Sequence, residues 1–203
     1  METQPGTTGP EQPRTMNVVI LPPVYLPTAE WFADLERADL AVVDTAMRHD
    51  KRRKLTHRAV VEGPQGPFLL TVPVSLLPIA EPAAGEPRRH RTWADVAVSA
   101  HGHWWTVHSG AIESAYSATP YFEHYWPLLR DYFTEEAVGE VLTLYTSRLH
   151  TALRTLLGVT TPVSATLPAR PPAHARVTDL RRKDYPGETV LGPLFRLGPS
   201  ALA

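Results

Sequence analysis

"MNVVILPPVYLPTAEWFADLERADLAVVD", residues 16–44, decides the fold. It opens on an uninterrupted apolar run, MNVVIL (16–21), of the kind that fills a strand buried on both faces. PPVYLP (22–27) ends that run, because a proline has no N–H for a ladder and is excluded from a central strand. Thr28 can then cap a helix over AEWFADLERA, which puts Trp31, Phe32, Leu35 and Ala38 on one side. DLAVVD (39–44) is a second strand of the buried type. Strand, short helix and strand in such close succession predict a βαβ-like unit with a parallel pair.

Working outward, HRAVVEG (57–63) and FLLTVPV (68–74) read as strands, and Gly63, Pro64 and Gly66 between them signal a hairpin. Residues 78–91 are a loop by composition, and WADVAVS (93–99) is a further strand. Helices dominate afterwards, over 103–117, about 120–133 and about 136–157. The last carries Val138, Val141, Leu142, Tyr145, Leu149, Ala152, Leu153 and Leu156 on its apolar face, with Gly158 and Pro162 as stop signals. The expected class is α/β: a small, mostly parallel sheet with an antiparallel hairpin, an N-terminal βαβ-like unit and a C-terminal helical part. Residues 1–15 read as a disordered arm, 16–158 as a single α/β domain, and 159–203 as a Pro-rich tail. The end of that tail, ETVLGPLFRLGPSALA, is too apolar to float free. Two destinations are open to it, this domain or a second subunit in a homo-oligomer.

The chain has 203 residues, a formal charge of -1 and no cysteine. Length suits one domain with a proper core. The balanced charge points to neither nucleic acid nor an anionic membrane as a partner. The missing cysteines exclude disulfides, thiol catalysis and cysteine zinc sites, and fit a reducing compartment. No secretory signal opens the sequence and no apolar stretch reaches the roughly 18 residues of a membrane span. The expectation is a soluble, cytoplasmic protein.

Two stretches carry candidate chemistry. In HGHWWTVHSGAIESAYSATPYFE (101–123), a helical wheel at about 100° per residue gathers Trp104, Trp105, Val107, His108, Ala111, Ile112, Ala115 and Tyr116 on one half. His108 therefore faces inward, either as a core histidine bonded to a backbone carbonyl or as a ligand-contacting one. Tyr116, two turns on, stands near the same angle. His101 and His103 could share a cation, but a site needs three or four ligands, so no metal is expected and the pair reads as a solvated loop. The second stretch, RHDKRRKLTHR (48–58), concentrates Lys and Arg directly after a strand. Like-charge neighbours on one helix cost only a few tenths of a kcal/mol each, so a solvated segment is one reading. The other is an anion pocket, since ligands in open α/β sheets sit beyond the carboxyl ends of the strands. A nucleotide-sugar diphosphate, coenzyme A or a tRNA end would all fit there. Signatures of P-loop, dinucleotide-binding, nucleophile-elbow and zincin chemistry are absent, and no cofactor is called for.

Taken in order, these pieces resemble the WbqC-like protein family of bacterial polysaccharide clusters. PPVYLPTAEWF matches the family's QPxYLPxxxYF opening at Tyr25, Leu26 and Pro27, with Pro22 where many members have Gln. ADLAVVD matches its second strand. KLTHRAVV matches its basic segment, with His57 in place of Asn and Arg58 kept. LTVPV (70–74) is present unaltered, and HGHWWTVHSGAIESAYSATPYFE matches the aromatic helix region. DLR (179–181) and LGPLFRLGP (191–199) look like a shortened form of one branch's C-terminal tail. The resemblance implies a setting in O-antigen gene clusters and transfer of an aminoacyl or acyl group, glycine among them, onto an amino sugar that is nucleotide-linked. On that reading Arg53, Lys54 and Arg58 hold the anionic part of donor or acceptor, and His108 or else His57 is the general base on the attacking amine. Tyr25 and Tyr116 shape the sugar pocket. A non-catalytic nucleotide-sugar-binding or scaffold protein of the same pathway is the alternative, and an ATP-using ligase a third.

Overall fold

The structure, a computed structural model, describes residues 15–82, 84–85, 87–166 and 174–203. Residues 1–14 of the expected arm lie outside the described residues. The chain begins with β1 (Met16–Leu21), α1 (Ala29–Glu36) and β2 (Leu40–Val43). β1 and β2 pair in parallel from Val18 with Leu40 to Leu21 with Val43, as the apolar runs require. Thr28 caps α1 by accepting the Trp31 N–H at 3.4 Å.

β3 (Arg58–Gly63) and β4 (Gly66–Thr71) form the antiparallel hairpin, turned at Gly66, whose φ of +110° suits a residue without Cβ. The expected strand over 68–74 is two strands. Pro73 interrupts it, and β5 (Val74–Leu76) leaves to pair antiparallel with β6 (Val96–Val98). Residues Trp93–Asp95, expected as strand, form a 3-10 turn held by the reciprocal bonds of Thr92 and Asp95. α2 (Trp104–Tyr116) and α3 (Phe122–Leu129) follow. α4 (Leu142–Leu157) starts six residues later than about 136, because Gly139 at φ +84° and extended Val141 break the helical path. Gly158 then ends it in the left-handed conformation.

The chain beyond 158 joins the same body. β7 (Val163–Ser164) and β8 (Ala175–Asp179) pair in parallel with β2 and β1, giving a four-stranded parallel sheet in the order β7-β2-β1-β8. α5 (Leu191–Leu197) buries Leu191, Leu194 and Phe195 in the main core, so the apolar end docks on its own chain. The architecture is mixed α/β. Alternation along the strands divides the apolar groups: Val19, Leu21 and Ala41 face the main core, while Val18, Ile20 and Val42 form a second cluster on the other face. Among the described residues no helix is long and apolar enough to cross a membrane.

Candidate functional site

The PPVYLP turn leaves β1 at its carboxyl end and is buried throughout residues 22–28. Irregular buried backbone must find partners for each polar group, and here they come from distant elements. Trp31 donates its indole N–H to the Pro22 carbonyl at 3.2 Å, and His150 of α4 donates Nε2–H to the Val24 carbonyl at 2.8 Å. The Tyr25 N–H reaches the Leu55 carbonyl at 3.0 Å, and the Val190 N–H reaches the Pro27 carbonyl at 2.7 Å. The turn is a rigid wall of the site.

His108 belongs to the same arrangement. Its Nε2 lies 3.2 Å from the Thr71 carbonyl, which can only accept, so Nε2 carries the proton and Nδ1 accepts from the Tyr25 hydroxyl at 2.8 Å. Trp104 packs edge-on against the ring, which is 2% exposed, and burial holds its pKa down to about 4. Tyr116 points elsewhere, donating to Glu188 Oε1 at 2.8 Å and packing on Phe195. Val107, expected on the inward half of α2, is 59% exposed.

The basic segment folds over the carboxyl end of the parallel sheet. The loop after β2 is pinned by the Trp93 N–H to the Met47 carbonyl and the His49 N–H to the Arg91 carbonyl. Asp50 caps the turn through the Arg52 N–H at 2.9 Å, and Lys54–Thr56 is a 3-10 turn. Two adjoining cavities of about 370 and 1070 Å³ result, with Arg52, Arg53 and Arg182 common to both. Pro22, Pro23 and Lys54 line the first, and Arg48, His49 and Lys51 the second. Arg52, Arg53 and Arg182 form no ion pair among the described residues. Arg181, by contrast, is bound to Asp44 at 3.0 Å and Asp179 at 2.7 Å, and Lys183 to Asp34 and Glu30. The cavity therefore has a braced rim and, within it, cations that form no ion pair among the described residues; guanidinium groups so placed are able to make charge-assisted bonds.

Of the residues singled out in the sequence, Arg53 and Lys54 share this cavity. Tyr25, His57, Arg58, His108 and Tyr116 are not among its lining residues. Arg58 borders a narrow crevice with Leu26, Val60 and Tyr185, its Nε buried without a partner. His57 is half-buried beside Trp93, its Nδ1 unpartnered and its pKa held at about 4 by burial and by Arg58. The reading missed His49, the imidazole on the cavity wall. It packs on Trp93 at 4.6 Å between centroids, and burial with Lys51 and Arg91 keeps its pKa below the ordinary value. Its place in the loop that follows β2, beside Arg48 and Lys51, was the available signal. Arg182, also missed, follows an edge strand too polar to announce itself. His101 and His103 are exposed, and no cluster of three or more metal-ligating side chains occurs among the described residues.

Fold and cavity together define an α/β protein with an arginine-lined basin at the carboxyl edge of a parallel sheet. The model of the WbqC-like protein family matches residues 22–183, most of the chain, and the protein belongs to that family. Comparison with curated proteins and with solved structures finds no match.

Proposed function

We infer that the protein is a group-transfer enzyme of surface-polysaccharide or glycoconjugate biosynthesis, working in the cytoplasm on a phosphate-bearing, nucleotide-linked amino sugar. One observation carries this reading: Arg52, Arg53 and Arg182, which form no ion pair among the described residues, gather where an open α/β sheet receives ligands. Arginine forks suit diphosphate oxygens, and each charge-assisted bond is worth about 1.5–3 kcal/mol when partly desolvated. Transfer of an acyl or aminoacyl group to an amine needs a base that is unprotonated near neutrality. His49, neutral and on the wall, supports that role better than sealed His108.

The test pairs binding with turnover. Pyrophosphate and UDP-amino sugars should raise the melting temperature, and incubation with acyl-CoA or aminoacyl donors should give an N-acylated sugar by mass spectrometry. Pyrophosphate without effect on the melting curve would overturn the anion reading. A second reading, a non-catalytic binder of the same ligands, is favoured by the double hydrogen bonding of His108, which leaves it no free base position. Binding with no transfer in any donor combination would select it.

A further inference from the structure

An amphipathic helix ordinarily buries its apolar stripe and leaves its polar one in water. α4 turns part of its polar stripe inward. Thr143, Thr146 and His150 are 4, 3 and 5% exposed, and with Ser147, Thr151 and Arg154 they follow i, i+3, i+4, i+7, i+8 and i+11 along one face. That face closes a slot of about 120 Å³ whose floor is Trp31, Leu35 and Val43. Pro23 lines both the slot and the smaller basic cavity, so the two lie beside the same turn at the end of β1.

The slot's polar chemistry is directional. Thr151 donates to the Ser147 carbonyl at 2.9 Å, Thr146 to the Thr143 carbonyl at 3.3 Å, and Ser164 to the Thr166 carbonyl at 2.8 Å. A hydroxyl has one proton to give, so these side chains offer lone pairs to a ligand. Arg154, which also lines the slot, offers the reverse: its guanidinium can only donate, and one terminal nitrogen is already given to the Thr161 carbonyl. A ligand that fits must carry both donors and acceptors on a compact, partly apolar body. A fully enclosed six-membered carbon ring takes a cavity of about 150 Å³, so this slot of about 120 Å³, open toward exposed Ser147, holds no more than one ring and leaves part of it in solvent.

We propose that this slot is the glycosyl subsite: it takes one hydroxyl- or amino-bearing sugar ring whose phosphate lies beside Pro23 among Arg52, Arg53 and Arg182. An acyl chain would leave the Arg154 guanidinium and the slot's hydroxyls unanswered. This rests on the phosphate reading above, and the experiment separates the two.

Calorimetry compares inorganic phosphate with glucosamine 1-phosphate on the wild-type chain and on Ser147→Leu. Position 147 is exposed at the slot's mouth, and leucine is a good helix former, so this variant keeps the fold while blocking entry. Wild type should bind the sugar phosphate at least about tenfold more tightly than phosphate, the worth of one good hydrogen bond. Ser147→Leu should abolish that advantage and leave phosphate affinity within about twofold. Equal affinity for the two ligands in wild type, or an equal loss of both in the variant, overturns the glycosyl subsite alone. Absence of binding by either ligand overturns the phosphate reading and this one with it.

Discussion

The Tyr25 hydroxyl donates to His108 Nδ1 at 2.8 Å, and this bond joins the proline-rich turn after β1 to the aromatic helix α2. Both residues are sealed from solvent, Tyr25 at 0% exposure. Removing the hydroxyl in Tyr25→Phe keeps the ring and strands Nδ1 in an apolar surround. An unsatisfied buried group costs about 1–3 kcal/mol. Urea unfolding should show that loss as a lower midpoint at unchanged slope. A midpoint equal to wild type would show that the bond contributes nothing net.

His108 and His150 are both held by burial at about 4, against an ordinary value of 6.5. Both are neutral in the folded chain and take up protons on unfolding below pH 6.5. Stability therefore rises with pH from about 4 to 6.5 and is lost on acidification through that window. Each ring contributes about 3 kcal/mol at full effect. Asp95 and Asp179 are held below 3.8 by Arg89 and Arg181, so carboxylates with that sign act under the window. Midpoints measured from pH 4.5 to 7.5 should climb to about pH 6.5 and level off above it, and His108→Gln should flatten the climb. A flat wild-type profile contradicts the burial of these rings as neutral species.

What the sequence made legible follows from the strength of its local signals. Residues 16–44 combine apolar runs, prolines and a capping threonine, each with one physical meaning, and β1, α1 and β2 appear as read. The hairpin at Gly63–Gly66 was equally plain. β8 was not, because ARVTD is a polar edge strand whose place in the sheet comes only from pairing with β1. Pairing of that kind is non-local. The site shows the same division: Arg53 and Lys54 announced themselves as part of a charge run, whereas Arg182 enters the cavity through tertiary folding. Inward Thr143 and Thr146 were hidden because polar residues on a helix read as its wet side.

The cavity's arginines should act independently of the fold. Arg52 and Arg182 are exposed and unpaired among the described residues, so Arg52→Ala and Arg182→Ala should leave urea midpoints within about 0.5 kcal/mol of wild type. Loss of a charge-assisted bond should weaken pyrophosphate about tenfold or more in each. Added salt should shrink the difference between variant and wild type, since exposed charges are screened. Unaltered pyrophosphate affinity in the double variant would remove these residues from the site.

α5 offers the sharpest test of how the chain's end is used. Phe195 is 0% exposed and packs against Tyr116 at 5.4 Å and Phe122 at 5.2 Å between ring centroids. Its backbone carbonyl also receives the Tyr121 N–H at 3.0 Å. The helix thus closes the joint between α2 and α3 rather than resting on a finished surface. Phe195→Ala should cost about 3–5 kcal/mol, the range for emptying an aromatic site in a core. In a tail merely laid on the outside, the same change would cost under about 1 kcal/mol. Denaturant midpoints for this variant, with Leu197→Ala at an exposed position of the same helix as control, decide between a C-terminal segment integral to the core and one that only adheres to it.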